Sequence, residues 1–175
     1  MTLTVLAPQT ADTPKQRLER LYGECRDDVY AYLASLLGDR SLAEDLTALA
    51  FERAFRRRRL FNPRRGSERA WLFGIARNAA LDELRRRRRN TTFAGEVPMH
   101  AWEGAEETEG VLRRVTVQAA LAGLAPRERE LIALKFHAGL SNPDIARVLG
   151  VSETNAGTLL HRTITKLRKA CDEQV

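Results

Sequence analysis

The chain has 175 residues, 30% of them charged and 43% hydrophobic, with a net charge of +6 and a sequence pI near 9.9. That length allows one medium domain or two small ones, and the basic excess favours a polyanionic partner, either nucleic acid or an acidic membrane surface. No apolar stretch approaches the roughly 18 residues of a membrane span; the N-terminus lacks the charged-then-apolar order of a signal peptide; and Cys25 and Cys171 fit no C-x-x-C or metal-ligand spacing, so the expected setting is a reducing cytoplasm with no membrane insertion.

The charge falls in four blocks. Residues 1–52 carry five bases against nine acids, residues 53–89 fourteen arginines against three acids, residues 90–110 five glutamates and no base, and residues 111–175 ten bases against six acids. This acidic, basic, acidic, basic alternation suits two modules joined by a negatively charged tether.

Residues 1–14 hold two prolines and no helical period, and are expected to form a disordered tail. From Gln16 the apolar positions Leu18, Leu21, Tyr22, Cys25, Val29, Tyr32, Leu33, Leu36 and Leu37 step by three or four, predicting an amphipathic helix that Gly38-Asp39 stops. Cys25 on that stripe reads as a small core residue. Ser41 followed by Glu44 has the form of a capping box, opening a second helix through Leu42, Leu46, Leu49, Ala50 and Phe55 that ends near Asn62-Pro63. Ser67 is placed to cap a third helix, buried through Leu72, Ile75, Ala76, Ala79 and Leu84 and ending in the run Arg85–Arg89. These helices predict a bundle over 15–89. Residues 90–110, aperiodic and holding Gly95, Pro98, Gly104 and Gly110, are the expected flexible acidic linker. Helical period returns over 111–175, with Val111, Val115, Gln118, Leu121 and Leu124, then a helix with Pro126 in its first turn and Leu131, Ile132, Leu134 and Phe136 apolar. The fold class is therefore all-α: two small helical domains and no strand pattern.

The stretch 139–168 carries the clearest chemistry. Ser141 and Asp144 can cap a short helix with Ile145, Ala146 and Leu149 inward; Gly150 can end it in the left-handed region; Val151 anchors the turn; and Ser152 caps a second helix that buries Ala156, Leu160, Ile164 and Leu167. Cap, helix, glycine turn, cap, helix is the order of a helix-turn-helix. The outer face of the second helix offers Asn155, Thr158, His161, Arg162, Thr165, Lys166 and Arg168 to base edges and phosphates of a major groove, with Ser152 and Glu153 at its start. Glu153 would repel phosphate but can accept from a cytosine amino group. Gly157 within that helix costs about 1 kcal/mol relative to alanine, which close approach to DNA or another helix could offset.

In the first half, Arg56–Arg59 and Arg85–Arg89 flank Phe61 and Trp71-Leu72-Phe73. Arginines bind phosphates without reading sequence, and aromatics stack on unpaired bases, so the combination suits melting or single-stranded DNA. Phe73 fits a core position equally well.

On these residues the chain resembles the sigma-70 family, extracytoplasmic-function (ECF) group. Residues 18–89 resemble its region 2 through Gly38-Asp39-Arg40, Ala43-Glu44-Asp45-Leu46-Thr47, Gly66-Ser67, Ala70-Trp71-Leu72 and Ile75-Ala76-Arg77-Asn78. Residues 112–170 resemble its region 4 through Leu124, Pro126-Arg127-Glu128-Arg129-Glu130, Gly139-Leu140-Ser141, Ile145-Ala146, Leu149-Gly150-Val151-Ser152 and His161-Arg162. The resemblance implies that Glu44, Asp45 and Glu52 bind the clamp helices of the largest subunit of RNA polymerase core. It implies that 62–89 opens and reads the minus-ten element through Arg64, Arg65, Trp71, Arg77, Asn78, Arg85 and Arg86, with Asn78 near a flipped-base pocket. Region 4 would dock on the flap of the second-largest subunit and set the helix from Ser152 in the minus-thirty-five element; an anti-sigma protein is the usual inhibitor. Ala48-Leu49 stand where the family usually has Gln-Glu, a polar pair implicated in clamp binding.

Two other readings differ in class. A helix-turn-helix regulator binding DNA without polymerase would share the second half, but not the arginine-rich, tryptophan-bearing bundle. A nuclease would need clustered carboxylates with a metal or a positioned base; residues 53–89 offer only Glu68, Asp82 and Glu83 with no histidine, so neither catalytic nor metal-ligating residues, nor a cofactor, are expected.

Overall fold

A computed structural model describes residues 12–90 and 116–173, and among these there is no strand. Helix α1 (Pro14–Leu37) starts two residues before Gln16, because Thr13 and Gln16 form a capping box and Pro14 fills the first turn. Asp12, Thr13 and Pro14, expected in the tail, thus belong to the helix start. Gly38, at φ 64°, closes α1 in the left-handed region.

Helix α2 (Arg40–Arg57) corrects the expected cap. Asp39, not Ser41, accepts from the Leu42 N–H at 3.0 Å, and its other oxygen takes Arg87 Nη2 of the third helix at 2.8 Å. A carboxylate bridging two helices is the better cap, since it satisfies an orphan N–H and a guanidinium together. The Leu42 N–H and then Arg87 hold the Asp39 carboxyl below its ordinary range. A depressed carboxylate stabilises above its unfolded pKa of about 4, and that contribution is lost as pH falls through the folded value. Asp39→Ala is expected to cost about 1 kcal/mol at neutral pH and to leave a shallower acid limb below about pH 4 in a pH series of thermal melts; an unchanged limb would remove Asp39 from that role.

The inward side of α2 also differs. Phe51 is buried and Phe55 is 45% exposed, because the stripe Ala43, Leu46, Thr47, Ala50, Phe51 and Ala54 turns toward α1 while Phe55 faces out under the Arg58 guanidinium, 4.3 Å from its ring. The helix ends at Arg57 rather than Asn62, and short 3-10 turns, Arg58–Leu60 and Pro63–Arg65, carry the chain to α3 (Glu68–Asn90). Ser67 Oγ accepts from the Ala70 N–H at 3.1 Å, as expected of its cap. Helix α3 buries Ala70, Leu72, Phe73, Ile75, Ala76, Ala79 and Ala80; Leu84 is only partly covered. Tyr32 and Phe73, both fully buried, meet edge-on at 5.5 Å between ring centres. Burial pushes the Cys25 thiol up, so it packs as a neutral core group.

The second half has a helical stretch over 116–122 (α4), then α5 (Pro126–Phe136), α6 (Asn142–Leu149) and α7 (Glu153–Asp172). Val111 and Val115 lie outside the described residues, as does the acidic stretch 91–110. Pro126 opens α5 and the Ala125 N–H donates to Glu128 Oε2 at 2.8 Å. Phe136, apolar like Leu131, Ile132 and Leu134, is nevertheless 64% exposed, since it lies beyond the turn that buries Leu131 through Leu134. Ser141 and Ser152 cap α6 and α7, and Gly150 at φ 69° joins them. On α7, Ala156, Leu160 and Thr163 are buried, whereas Ile164 and Leu167 are half-exposed. Thr163 is tolerated there because its hydroxyl donates to the Leu159 carbonyl at 2.8 Å. A Cβ at Gly157 would meet Asn142 Nδ2 at an ordinary 3.7 Å, so crowding by α6 does not require that glycine.

The two halves share one core. Leu131, Leu134, Ile145 and Leu160 of the second half join the cluster of Val29, Tyr32, Leu72 and Phe73 of the first. Helix α5 lies against α1 and α6 against α3.

Candidate nucleic-acid interface

Two basic surfaces are available. On α7, Ser152, Glu153, Asn155, Thr158, His161, Arg162, Lys166 and Arg168 are all exposed. They share the outer side because the inward stripe of Ala156, Leu160 and Thr163 fixes the helix's rotation. Ser152 Oγ accepts from the Asn155 N–H at 3.2 Å, capping a helix start where the dipole favours anions. Lys166 Nζ is drawn to Glu128 Oε2, 2.8 Å away on α5, and Lys166, then the Ala125 N–H, hold the Glu128 carboxyl low.

The second surface follows α3 and the turns before it. Arg64, Arg65, Asn78, Arg85 and Arg86 are exposed. Trp71 is half-buried, its ring 5.5 Å from that of Phe61, while Phe73 is wholly in the core. Arg86 clamps Glu83 through two bonds of 2.7 and 2.9 Å, and Arg87 Nε adds a third at 3.2 Å. These guanidiniums, Arg86 foremost, hold the Glu83 carboxyl low, so the acid stays charged and pins the arginine run onto the helix end. Glu44, Asp45 and Glu52 are exposed on α2, with Glu52 paired to Arg56 at 2.6 Å.

Arg77 is different. It turns away from Asn78 into the contact between halves, where its Nε donates to Glu130 Oε1 at 2.6 Å. The same oxygen accepts from the Tyr32 hydroxyl at 3.3 Å. Nearby Arg69 donates to the Ala138 carbonyl and pairs with Asp28. Sequence reasoning missed Glu130 and Arg69. The available signal was placement: Glu130 precedes Ala133 and Leu134 by three and four residues on a buried face, and Arg69 precedes Phe73 by four.

Among the described residues no cluster of His, Cys, Asp and Glu is arranged to hold a metal, and no helix is long and apolar enough to cross a membrane. The family model for sigma-70 region 2 matches residues 21–90, and that for sigma-70 region 4 matches 114–167. This chain belongs to the sigma-70 family, in its ECF group. ECF sigma factor SigL of Mycobacterium tuberculosis is 30% identical over 162 residues, covering 89% of each chain. BldN of Streptomyces coelicolor, another ECF factor, is 35% identical over 158 residues; the match spans 86% of this chain and 58% of BldN. The fold is shared with a sigma factor RpoE from Bartonella quintana, solved with the anti-sigma factor NepR, at a TM-score of 0.70 and 23% identity, covering 89% of this chain and 97% of that one. As an ECF factor the chain is a polymerase-binding subunit that directs promoter recognition and initiation, and matches to both regions disfavour the stand-alone regulator. Sigma factors are initiation factors rather than catalysts.

Proposed function

We propose that residues 15–89 are the module that docks on polymerase through Glu44, Asp45 and Glu52 and opens the minus-ten element, and that residues 111–175 are the module that reads the minus-thirty-five element. The acidic stretch 90–110 is their tether. The observation that carries this is the outward face of α7, where Ser152, Glu153, Asn155, Thr158, His161, Arg162, Lys166 and Arg168 are all exposed along one capped helix. Arg64, Arg65, Trp71, Asn78, Arg85 and Arg86 line the melting surface, with arginines on phosphates and Trp71 and Asn78 on unpaired bases. Arg77 joins them once released from Glu130. The protein itself performs no catalysis, works in the cytoplasm, and joins the nucleoid as part of the holoenzyme.

An anti-sigma protein is proposed as the inhibitory partner, as the RpoE–NepR complex suggests by analogy. Exposed Ala48, where the family usually has a polar residue, and exposed Phe55 on the same helix give such a partner apolar surface.

Run-off transcription with core polymerase on genomic DNA fragments tests the whole reading: transcripts should appear only when the chain is added. Asn78→Ala should slow promoter opening about three- to tenfold, the equivalent of one or two lost hydrogen bonds to a base, with closed-complex binding little changed. Permanganate footprints of the same intensity and timing as wild type would take Asn78 off the melted strand.

A further inference from the structure

We propose that the packed arrangement is an idle state that the factor must leave to initiate, and that Glu130 is the latch holding it shut. The inference rests on the promoter reading above. Elements named minus-ten and minus-thirty-five lie roughly 25 base pairs apart, or about 85 Å at 3.4 Å per pair. Packed helices stand only about 8–10 Å apart, and here α5 lies on α1 and α6 on α3. Modules in direct contact cannot occupy both elements at once, so the contact must break.

The shared apolar core holds the halves together, and polar ties between them make the contact specific. Glu130 is 7% exposed and belongs to α5, yet its partners are Arg77 of α3, at 2.6 Å and 3.5 Å, and Tyr32 of α1. Burial, and then the neighbouring Glu130 charge, keeps the Tyr32 phenol protonated and therefore a donor. A second tie runs from Arg69 to the Ala138 carbonyl, just beyond α5. The helix-turn-helix also lies close to the turn before α3: the Arg147 side chain of α6 comes within 3.1 Å of where a Cβ on Gly66 would stand. Helix α2 is left exposed at Glu44, Asp45 and Glu52. The closed chain thus keeps its polymerase-facing acids exposed while taking up Arg77 from the DNA-facing set.

A carboxylate buried against a guanidinium leaves an uncompensated charge when removed. In the closed state of a Glu130→Ala chain that charge is Arg77; in the open state Arg77 is hydrated, so the variant favours opening by about tenfold or more. Glu130→Gln keeps the shape and an acceptor but no charge, and should fall between.

The test uses the full chain in two measurements. By small-angle scattering the wild type should be compact, and Glu130→Ala should have a radius of gyration larger by several Å with helical circular dichroism retained. In run-off assays with limiting core polymerase, half-maximal transcription should need several-fold less Glu130→Ala factor than wild type, with the same plateau. If alanine costs helix content, Glu130→Gln decides by the same two readouts. Variants as compact as wild type, or expanded without a lower half-saturation, overturn the latch. A wild type that supports no transcription would overturn the promoter reading instead, and scattering would still decide whether Glu130 closes the chain.

Discussion

Phe73→Ala is expected to lower the unfolding free energy by about 3–5 kcal/mol, while Phe55→Ala changes it by roughly 0.5 kcal/mol or less. The two residues are the same type in adjacent helices of one bundle, so the contrast isolates packing. Phe73 is fully buried, edge-on to Tyr32 and with the Arg69 guanidinium 5.5 Å from its ring centre. Truncation there opens a cavity where α1 and α3 meet, and against a typical total of about 5–15 kcal/mol the loss approaches the whole margin. It also loosens Tyr32, whose hydroxyl meets Glu130 across the contact between halves, so the damage should spread into the second module. Phe55, 45% exposed under Arg58, forfeits only a surface contact. Urea titrations followed by circular dichroism would measure both. Equal losses would mean that α2 is rotated by about one turn position from the arrangement described.

That rotation marks where the sequence stops being informative. The stripe on α1 was legible because Leu21, Cys25, Val29 and Tyr32 repeat at three and four, although Tyr22, counted on the same apolar run, is 47% exposed. Helix α2 offers two aromatic candidates four residues apart, Phe51 and Phe55, both compatible with a helical period. Only the position of α1, with Tyr22 stacked edge-on to Phe51 at 4.8 Å, selects the first. The start of α2 carries two chemically good caps, and Asp39 prevails over Ser41 through Arg87, 48 positions away. The helix-turn-helix was legible nearly to the residue because its signals are local: Ser141, Gly150 and Ser152 each act on neighbours within four positions. Glu130 is the opposite case. Its partners lie 53 and 98 positions back, and an acid in an α5 sequence reads as solvated until α1 and α3 are in place.

The second large effect is expected on α7, where Arg162 and Arg168 should behave differently when each is replaced by alanine. Both are exposed cations on the outer face. Helix rise sets their reach: Arg162 stands nine positions beyond Glu153, roughly 14 Å along the axis, and Arg168 fifteen positions, roughly 22 Å. A major groove is about 12 Å wide, so with the start of α7 in the groove Arg168 can meet only flanking phosphate, whereas Arg162 stands at the groove's edge, beyond Asn155 and Thr158. Arg168→Ala should therefore weaken holoenzyme binding by about tenfold for every promoter tested, and lower the slope of log affinity against log salt by about 0.9. Arg162→Ala should cost a similar factor on the cognate sequence and, where it reads a guanine, relax the preference at one base pair by about 1–3 kcal/mol. Filter binding over a salt series, with cognate and single-substituted minus-thirty-five sequences, separates the two. If Arg168→Ala alters sequence preference and leaves the salt slope intact, α7 enters the groove by its other end.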